Sequence, residues 1–339
     1  MPIYFRITFN TVKRFGSYSI MWFLTILFMY AVVLHKFSNA YTSQTVTKVY
    51  NGETEVMIEY QEGSPGSKII LAAPHGGSFK GDFPERDFGC MSNGQCIWSH
   101  SCGAKDPNCD TSTYTDRYTM EITTGLADEL ETLYSGVRPH VILSHIHRSK
   151  LDPNREEDEA TFGNAEITSY YNAFHSFIDT ASTSVGTGCF FDIHGHTHPE
   201  AMVELGYKVI KSRLNDKNAI LGYTSIKTLG NDINANGRDW TGLLNGTIGL
   251  GYFLTEQLKL STEATVQGTT VVPSVDVPSP GTALYFSGGY DVKIHGSRYG
   301  GDVDGIQIES PSPVRNAIQG PEYIKRLAKA IKQFMDENY

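Results

Sequence analysis

Short apolar runs that close on polar clusters alternate along this chain with segments whose apolar residues recur at helical spacing. SKIILAAPH (67–75), HVILSHIH (140–147) and GCFFDIHGH (188–196) each read as a buried strand with a polar end, and AMVELGY (201–207) as a further strand. Between them, TDRYTMEITTGLADELETLY (115–134) and EITSYYNAFHSFIDTA (166–181) carry the apolar spacing of amphipathic helices. Thr115-Asp116 reads as a helix N-cap, and GPEYIKRLAKAIKQFMDENY (320–339) as a closing helix with Pro321 in its first turn. Strands alternating with helices predict an α/β fold, with a mainly parallel mixed sheet flanked by helices on both faces.

Ligands of such sheets collect beyond the carboxyl ends of the strands. Three polar clusters fall there: PHGG (74–77), SHIHRSKLDPNR (144–155) and DIHGHTH (192–198). A catalytic zinc takes three protein ligands from His, Asp and Glu and keeps a position open. His75 follows a strand and precedes two glycines that let a substrate approach closely. Gly195 and Pro199 place the end of the third strand near His194, making it the best ligand candidate, with Asp192 on the same face to orient it. His196 and His198 then fall on a loop, as rim residues or exposed polar groups. For the carboxylate ligand, Asp116 and Glu85 both qualify, and composition does not separate them.

Other residues carry recognisable chemistry. The planar fork of Arg155 suits a carboxylate, and Asn154 can add a hydrogen bond. The competing reading is a surface arginine paired with Glu156 or Glu159. Glu309 ends DGIQIE, which alternates apolar and polar residues as a strand does; a carboxylate there can accept a proton from water. The glycine-rich GGYDVKIHGSRYGG (288–301) reads as a loop able to close over substrate, with His295 or Arg298 as oxyanion donor; a mobile surface loop is the alternative. It lacks the Gly-Lys-Ser/Thr ending of a phosphate-binding loop.

PHGG, TDRYTMEI, LDPNRE, DIHGH, FSGGYDVKIHG and GIQIE, in this order, resemble the N-formylglutamate amidohydrolase family, within the zinc-exopeptidase-like α/β hydrolases. The resemblance spans about residues 67–335. It implies one zinc ion held by His75, Asp116 and His194, substrate-carboxylate recognition by Asp152, Asn154 and Arg155, and Glu309 as catalytic base. The chain departs from the family pattern in two places. An insertion at 78–113 follows the first motif and is expected to rim the site, and Pro153 stands where an apolar residue is usual.

The amino terminus and the cysteines bear on location. Arg6, Lys13 and Arg14 precede the apolar run 19–34, and Ser38 and Ala40 then supply small residues, which reads as a signal peptide (1–40) cleaved after Ala40. An uncleaved anchor is the rival, although a run of 16 residues is short of the ~20 needed to span a bilayer. No later segment predicts a span. The remainder, 41–339, reads as a single domain with a second excursion at 261–282, rich in Ser, Thr, Val and Pro. Without residues 1–40 the 28 basic side chains fall to 24 against 37 acidic ones, a balance of −13 that argues against nucleic acid as partner. Cys90, Cys96, Cys102 and Cys109 fit two local disulfides in an exported chain, with zinc binding as the rival; Cys189 reads as a buried free thiol. Asn245-Gly-Thr is a glycosylation acceptor if exposed.

Together these features predict a secreted zinc amidohydrolase acting on an N-acyl amino acid or a short, γ-linked or carboxylate-bearing peptide. A relative that cleaves poly-γ-glutamate would share the metal site. The alternative of another class is an extracellular-matrix or mineral-associated protein that reuses the fold without turnover.

Overall fold

The apolar centre of the sheet consists of strands buried on both faces, which is why they read as continuous apolar runs. In chain order the strands are β1 (Ser43–Tyr50), β2 (Glu53–Gln61), β3 (Ile69–Ala73), β4 (Cys90–Ser92), β5 (Gln95–Ile97), β6 (His140–Ser144), β7 (Gly188–His196), β8 (Val203–Gly206), β9 (Val271–Val272) and β10 (Val303–Pro311). The computed structural model describes residues 41–339, so the apolar run 19–34 and the expected cleavage site lie outside the described residues. An eight-stranded sheet runs in the order β1-β2-β6-β3-β7-β10-β8-β9. Its middle, β6-β3-β7-β10, is parallel; β1, β2 and β8 pair antiparallel to their inner neighbours.

Helices cover both faces. Ile122, Leu126 and Leu130 of α1 (Thr119–Leu133) and Leu327, Ile331 and Phe334 of the carboxy-terminal helix pack with Phe191 and Ile193 of β7. On the opposite face, Ile167, Phe174 and Ile178 of α2 (Ala165–Val185) meet Ile70 and Phe190. Burying each such side chain contributes about 1.5–3 kcal/mol. Alternate β7 residues thus feed two different cores, and on the α2 side Phe190 is followed by Asp192 and His194. Among the described residues no helix is long and apolar enough to cross a membrane.

Four local expectations change. Helix α1 starts at Thr119, after Tyr118 in a left-handed conformation with no side-chain cap, so Asp116 is not an N-cap. Strand β7 continues past His194 because its parallel pairing with β10 holds through Gly195 and His196, which leaves His196 buried in the strand rather than on a loop. Strand β10 is buried along its whole length, so the polar members of DGIQIE do not face solvent. The 261–282 segment is more than a surface excursion: Val271 and Val272 are buried and pair with Val203 and Glu204, adding an edge strand to the sheet.

The 78–113 insertion folds around the β4–β5 hairpin, whose Asn93-Gly94 turn has positive φ at both residues. Cys90 pairs with Cys102 and Cys96 with Cys109, which removes the zinc reading of the cluster; Cys189 is free and buried. The insertion is fixed at its base by buried Arg86, which donates through Nε to the Glu159 carbonyl (2.9 Å) and through Nη1 to the Arg148 carbonyl (2.7 Å).

Candidate metal centre

Because β3, β6, β7 and β10 are parallel, the polar clusters that follow them meet at one edge. His75 lies just past β3, and Asp116 reaches the same point from the segment before α1, its N–H bonded to the His75 carbonyl at 3.0 Å. One Asp116 oxygen, Oδ2, stands 3.3 Å from His75 Nδ1 and 3.2 Å from His194 Nδ1, and also accepts from Gly195 N–H at 3.2 Å. The outward ring nitrogens have carboxylates of their own. His75 Nε2 is 2.6 Å from Asp152 Oδ1, and His194 Nε2 is 2.7 Å from Asp192 Oδ2. All five side chains are buried.

This donor set fits a zinc ion. Two ligand atoms each about 2.0–2.1 Å from one zinc at a tetrahedral angle stand about 3.3 Å apart. Carboxylates on the far nitrogens would fix Nε2–H on both histidines and turn the Nδ1 lone pairs inward. Glu85, by contrast, is half exposed and pairs with Lys150 at 3.0 Å, so it has no place in the cluster.

Asp152 is thus buried behind His75 and is not among the residues that line the cleft described below. Its second oxygen accepts from Arg148 Nε at 2.9 Å, and Arg148 Nη1 is 3.6 Å from Asp116 Oδ1. Burial opposes the charge on Asp152, yet Arg148 and His75 hold its carboxyl well below the usual range. At Asp116, too, burial is outweighed by the His194 and His75 hydrogen bonds, and the carboxyl is depressed. Arg148 escaped the sequence reading, although it lies within the polar cluster after β6; its partners became visible only with the loop folded.

A cleft of about 480 Å³ opens over the cluster, lined among others by Asn154, Arg155, His198, Gly289 and Glu309. Glu309 of β10 is in register with His194 of β7, and Gln307 with Asp192. Gln307 donates to Glu309 Oε1 at 2.8 Å, while among the described residues the buried Oε2 has no hydrogen-bond partner. Burial pushes the Glu309 carboxyl up to about 7, with His194 pulling it the other way.

The remaining expected residues divide. Arg155 lines the cleft, with Nε on Glu159 (3.1 Å) and Nη1 on its neighbour's carbonyl (2.7 Å). Asn154 is buried: its Oδ1 accepts from Asp291 N–H at 2.8 Å, which ties its loop to the 290–295 segment, and its Nδ2 lies 3.2 Å from His194 Nε2. His196 and His198 line the cleft but are engaged elsewhere, His196 Nε2 with the Met202 carbonyl (2.8 Å) and His198 Nδ1 with buried Glu204 (2.7 Å). His295 and Arg298 are outside the cleft. His295 faces His175 and Asp179, and Arg298 stacks between Tyr223 and Tyr299, because 290–299 is mostly helical rather than an open loop. The insertion contributes Ser112 to the lining and otherwise buttresses the Arg148–Asp152 loop instead of rimming the site. Asn245 ends a short helix and is half-buried.

Fold and site together define an α/β protein with a carboxylate-backed His-Asp-His cluster at the carboxyl edge of its sheet. Neither a family model nor a curated protein sequence matches this chain. Solved structures to which it is similar include an N-formylglutamate amidohydrolase from Ralstonia eutropha, at 11% identity and TM-score 0.42 over 83% of this chain and 98% of that one. They also include a gene product of Agrobacterium tumefaciens (11%, TM-score 0.43, 83% and 95% covered). The CwlD amidase of Clostridioides difficile, in complex with the GerS lipoprotein, is a third (15%, TM-score 0.34, 80% and 98% covered). Likenesses of this degree carry no functional argument, which rests on the residues of the site.

Proposed function

We propose that this chain is a secreted, zinc-dependent amidohydrolase that cleaves an amide bond close to a substrate carboxylate. The observation that carries the reading is the approach of two histidine Nδ1 atoms to one Asp116 oxygen at 3.2–3.3 Å, each histidine backed by a buried carboxylate, beneath an open cleft. His75, Asp116 and His194 would hold the ion, which when bound polarises an amide carbonyl and acidifies water. Glu309, with one oxygen steadied by Gln307 and the other uncommitted, takes a proton from the attacking water and returns it to the leaving amine. Arg155 offers its remaining Nη2 to the substrate carboxylate. Two disulfides fit an oxidising, extracellular setting.

The test is turnover of N-acyl amino acids and short γ-linked peptides by zinc-loaded protein, each compared with its carboxyl-amidated form, before and after chelation. Hydrolysis of the free-carboxylate forms, lost on chelation and restored by zinc, is expected. Stoichiometric zinc without turnover of any such amide overturns the reading.

A further inference from the structure

A second group of metal-ligating side chains lies between α2 and α3 (Tyr290–His295), outside the cleft-lining residues. Helix α2 supplies His175 and Asp179, and α3 supplies Asp291 and His295; each pair is four residues apart and shares a helix face. His175 Nδ1 stands 2.8 Å from His295 Nε2 and 3.9 Å from Asp291 Oδ1. The other nitrogen of His295, Nδ1, is 3.1 Å from Asp179 Oδ1. Asp291 is fully buried, and among the described residues neither of its carboxylate oxygens has a hydrogen-bond partner.

That last fact is the telling one. A buried carboxyl left unpaired either stays protonated or, when charged, costs several kcal/mol unless a cation compensates it. Among the described residues no lysine or arginine forms an ion pair with Asp291, and His175 is its one neighbour in ion-pair range. The two imidazole nitrogens between the helices can share one proton, which leaves the Asp291 oxygens unsatisfied. A divalent cation accepts all three groups at once. Asp179 supports this use by holding Nδ1–H of His295 and thereby turning its Nε2 lone pair toward His175 and Asp291. The surroundings are apolar and aromatic: Phe174 and Tyr290 pack on the His175 ring, and Phe190 on that of His295.

We propose that His175, Asp291 and His295 form a second, structural metal site for a borderline divalent transition ion such as zinc. The ligand atoms are His175 Nδ1, His295 Nε2 and the Asp291 carboxylate, which has two oxygens to offer. The ion clamps α3 onto α2. Its effect reaches the cleft through the backbone, since Asp291 N–H holds Asn154 and Gly289 N–H holds Gln307 Oε1 at 2.6 Å. An added Cβ at Gly289 would come within 2.2 Å of the Asn154 amide, so this wall tolerates little displacement.

The experiment is metal analysis of the purified full-length protein after equilibration with zinc and gel filtration, together with anomalous diffraction at the zinc edge. Wild type is expected to hold about two equivalents, and Asp116→Asn, Asp291→Asn and His295→Gln about one each. The Asp116→Asn protein keeps the ion between α2 and α3 even if the cleft cluster has no catalytic role, which separates the two proposals. Asp291→Asn protein with as much zinc as wild type overturns the second site. So does wild-type crystal density with no anomalous peak among His175, Asp291 and His295, a result that depends on no variant.

Discussion

Asp116 Oδ2 stands 3.2 Å from Nδ1 of His194, although 78 residues of chain separate the two. The same oxygen faces His75, so one carboxylate joins the ends of two parallel strands. Replacing Asp116 by Asn removes its charge and keeps its size. We expect at least ~10²-fold loss of amidase activity, more than the 10–100-fold typical of outer-shell changes, and loss of the ion from this cluster by metal analysis.

Asp152 separates a ligand-orienting role from a substrate-binding one. Asp152→Asn should weaken zinc affinity and activity by about 10–100-fold, read by competition with a chromogenic chelator. A raised KM with unchanged zinc affinity would instead return Asp152 to the substrate side.

Glu309→Gln should lower kcat by about 10²–10⁴-fold while zinc content stays at the wild-type level. Unaltered kcat in a fully metallated variant removes the proton-transfer role from this residue.

Arg155→Ala tests the carboxylate contact. A charge-assisted hydrogen bond contributes ~1.5–3 kcal/mol, so KM for the free-carboxylate substrate should rise about 10–100-fold. The amidated substrate should be nearly indifferent, and equal effects on both would place the arginine's role in the wall of the cleft.

His140, remote from the cleft, sets a pH dependence of stability. Its Nδ1 accepts from Gly63 N–H at 3.0 Å and lies 2.8 Å from the Tyr60 hydroxyl, and burial lowers its pKa from 6.5 to about 4. The folded-state value is depressed, so the contribution is fully present above the unfolded pKa of about 6.5 and is lost as pH falls through about 4. The loss amounts to about 3 kcal/mol at most. Urea denaturation from pH 7 to 4 should show this acid-side loss in wild type, diminished in His140→Gln; parallel profiles would refute it.

Gly195 separates His194 from His196 at a point where a side chain would meet Arg315. An added Cβ would lie 2.3 Å from the Arg315 guanidinium carbon, and Arg315 Nη2 donates to the His196 carbonyl at 3.1 Å. Gly195→Ala should destabilise by about 1–3 kcal/mol in chemical denaturation. A neutral result would mean that Arg315 moves freely.

Much of the architecture was written in local pattern. The apolar runs expected at 67–75, 140–147 and 188–196 became three of the four parallel central strands, and the amphipathic stretches became α1, α2 and the final helix. His75 and His194 stood out as candidates because each is a polar residue beside a buried apolar run, although β7 continues through His196. The edge strand at Val271–Val272 was not legible, since two residues carry no period and their burial depends on β8. The strand through His196 was underestimated because a Gly and a Pro nearby suggested a stop, while pairing with β10 kept it extended.

The amino-acid sequence by itself thus determined the alternation of strands and helices, one cluster of four cysteines able to form two bridges, and the histidines beside buried apolar runs. Only the tertiary structure decided which carboxylate meets them, that Asp152 is buried against His75, and that His295 lies in a different cluster. The reason is physical. Strand and helix periods are set by neighbours in the chain, whereas a ligand set is defined by atoms within about 3 Å contributed from segments tens of residues apart. Their meeting is fixed by sheet order and crossover packing, which no local pattern contains.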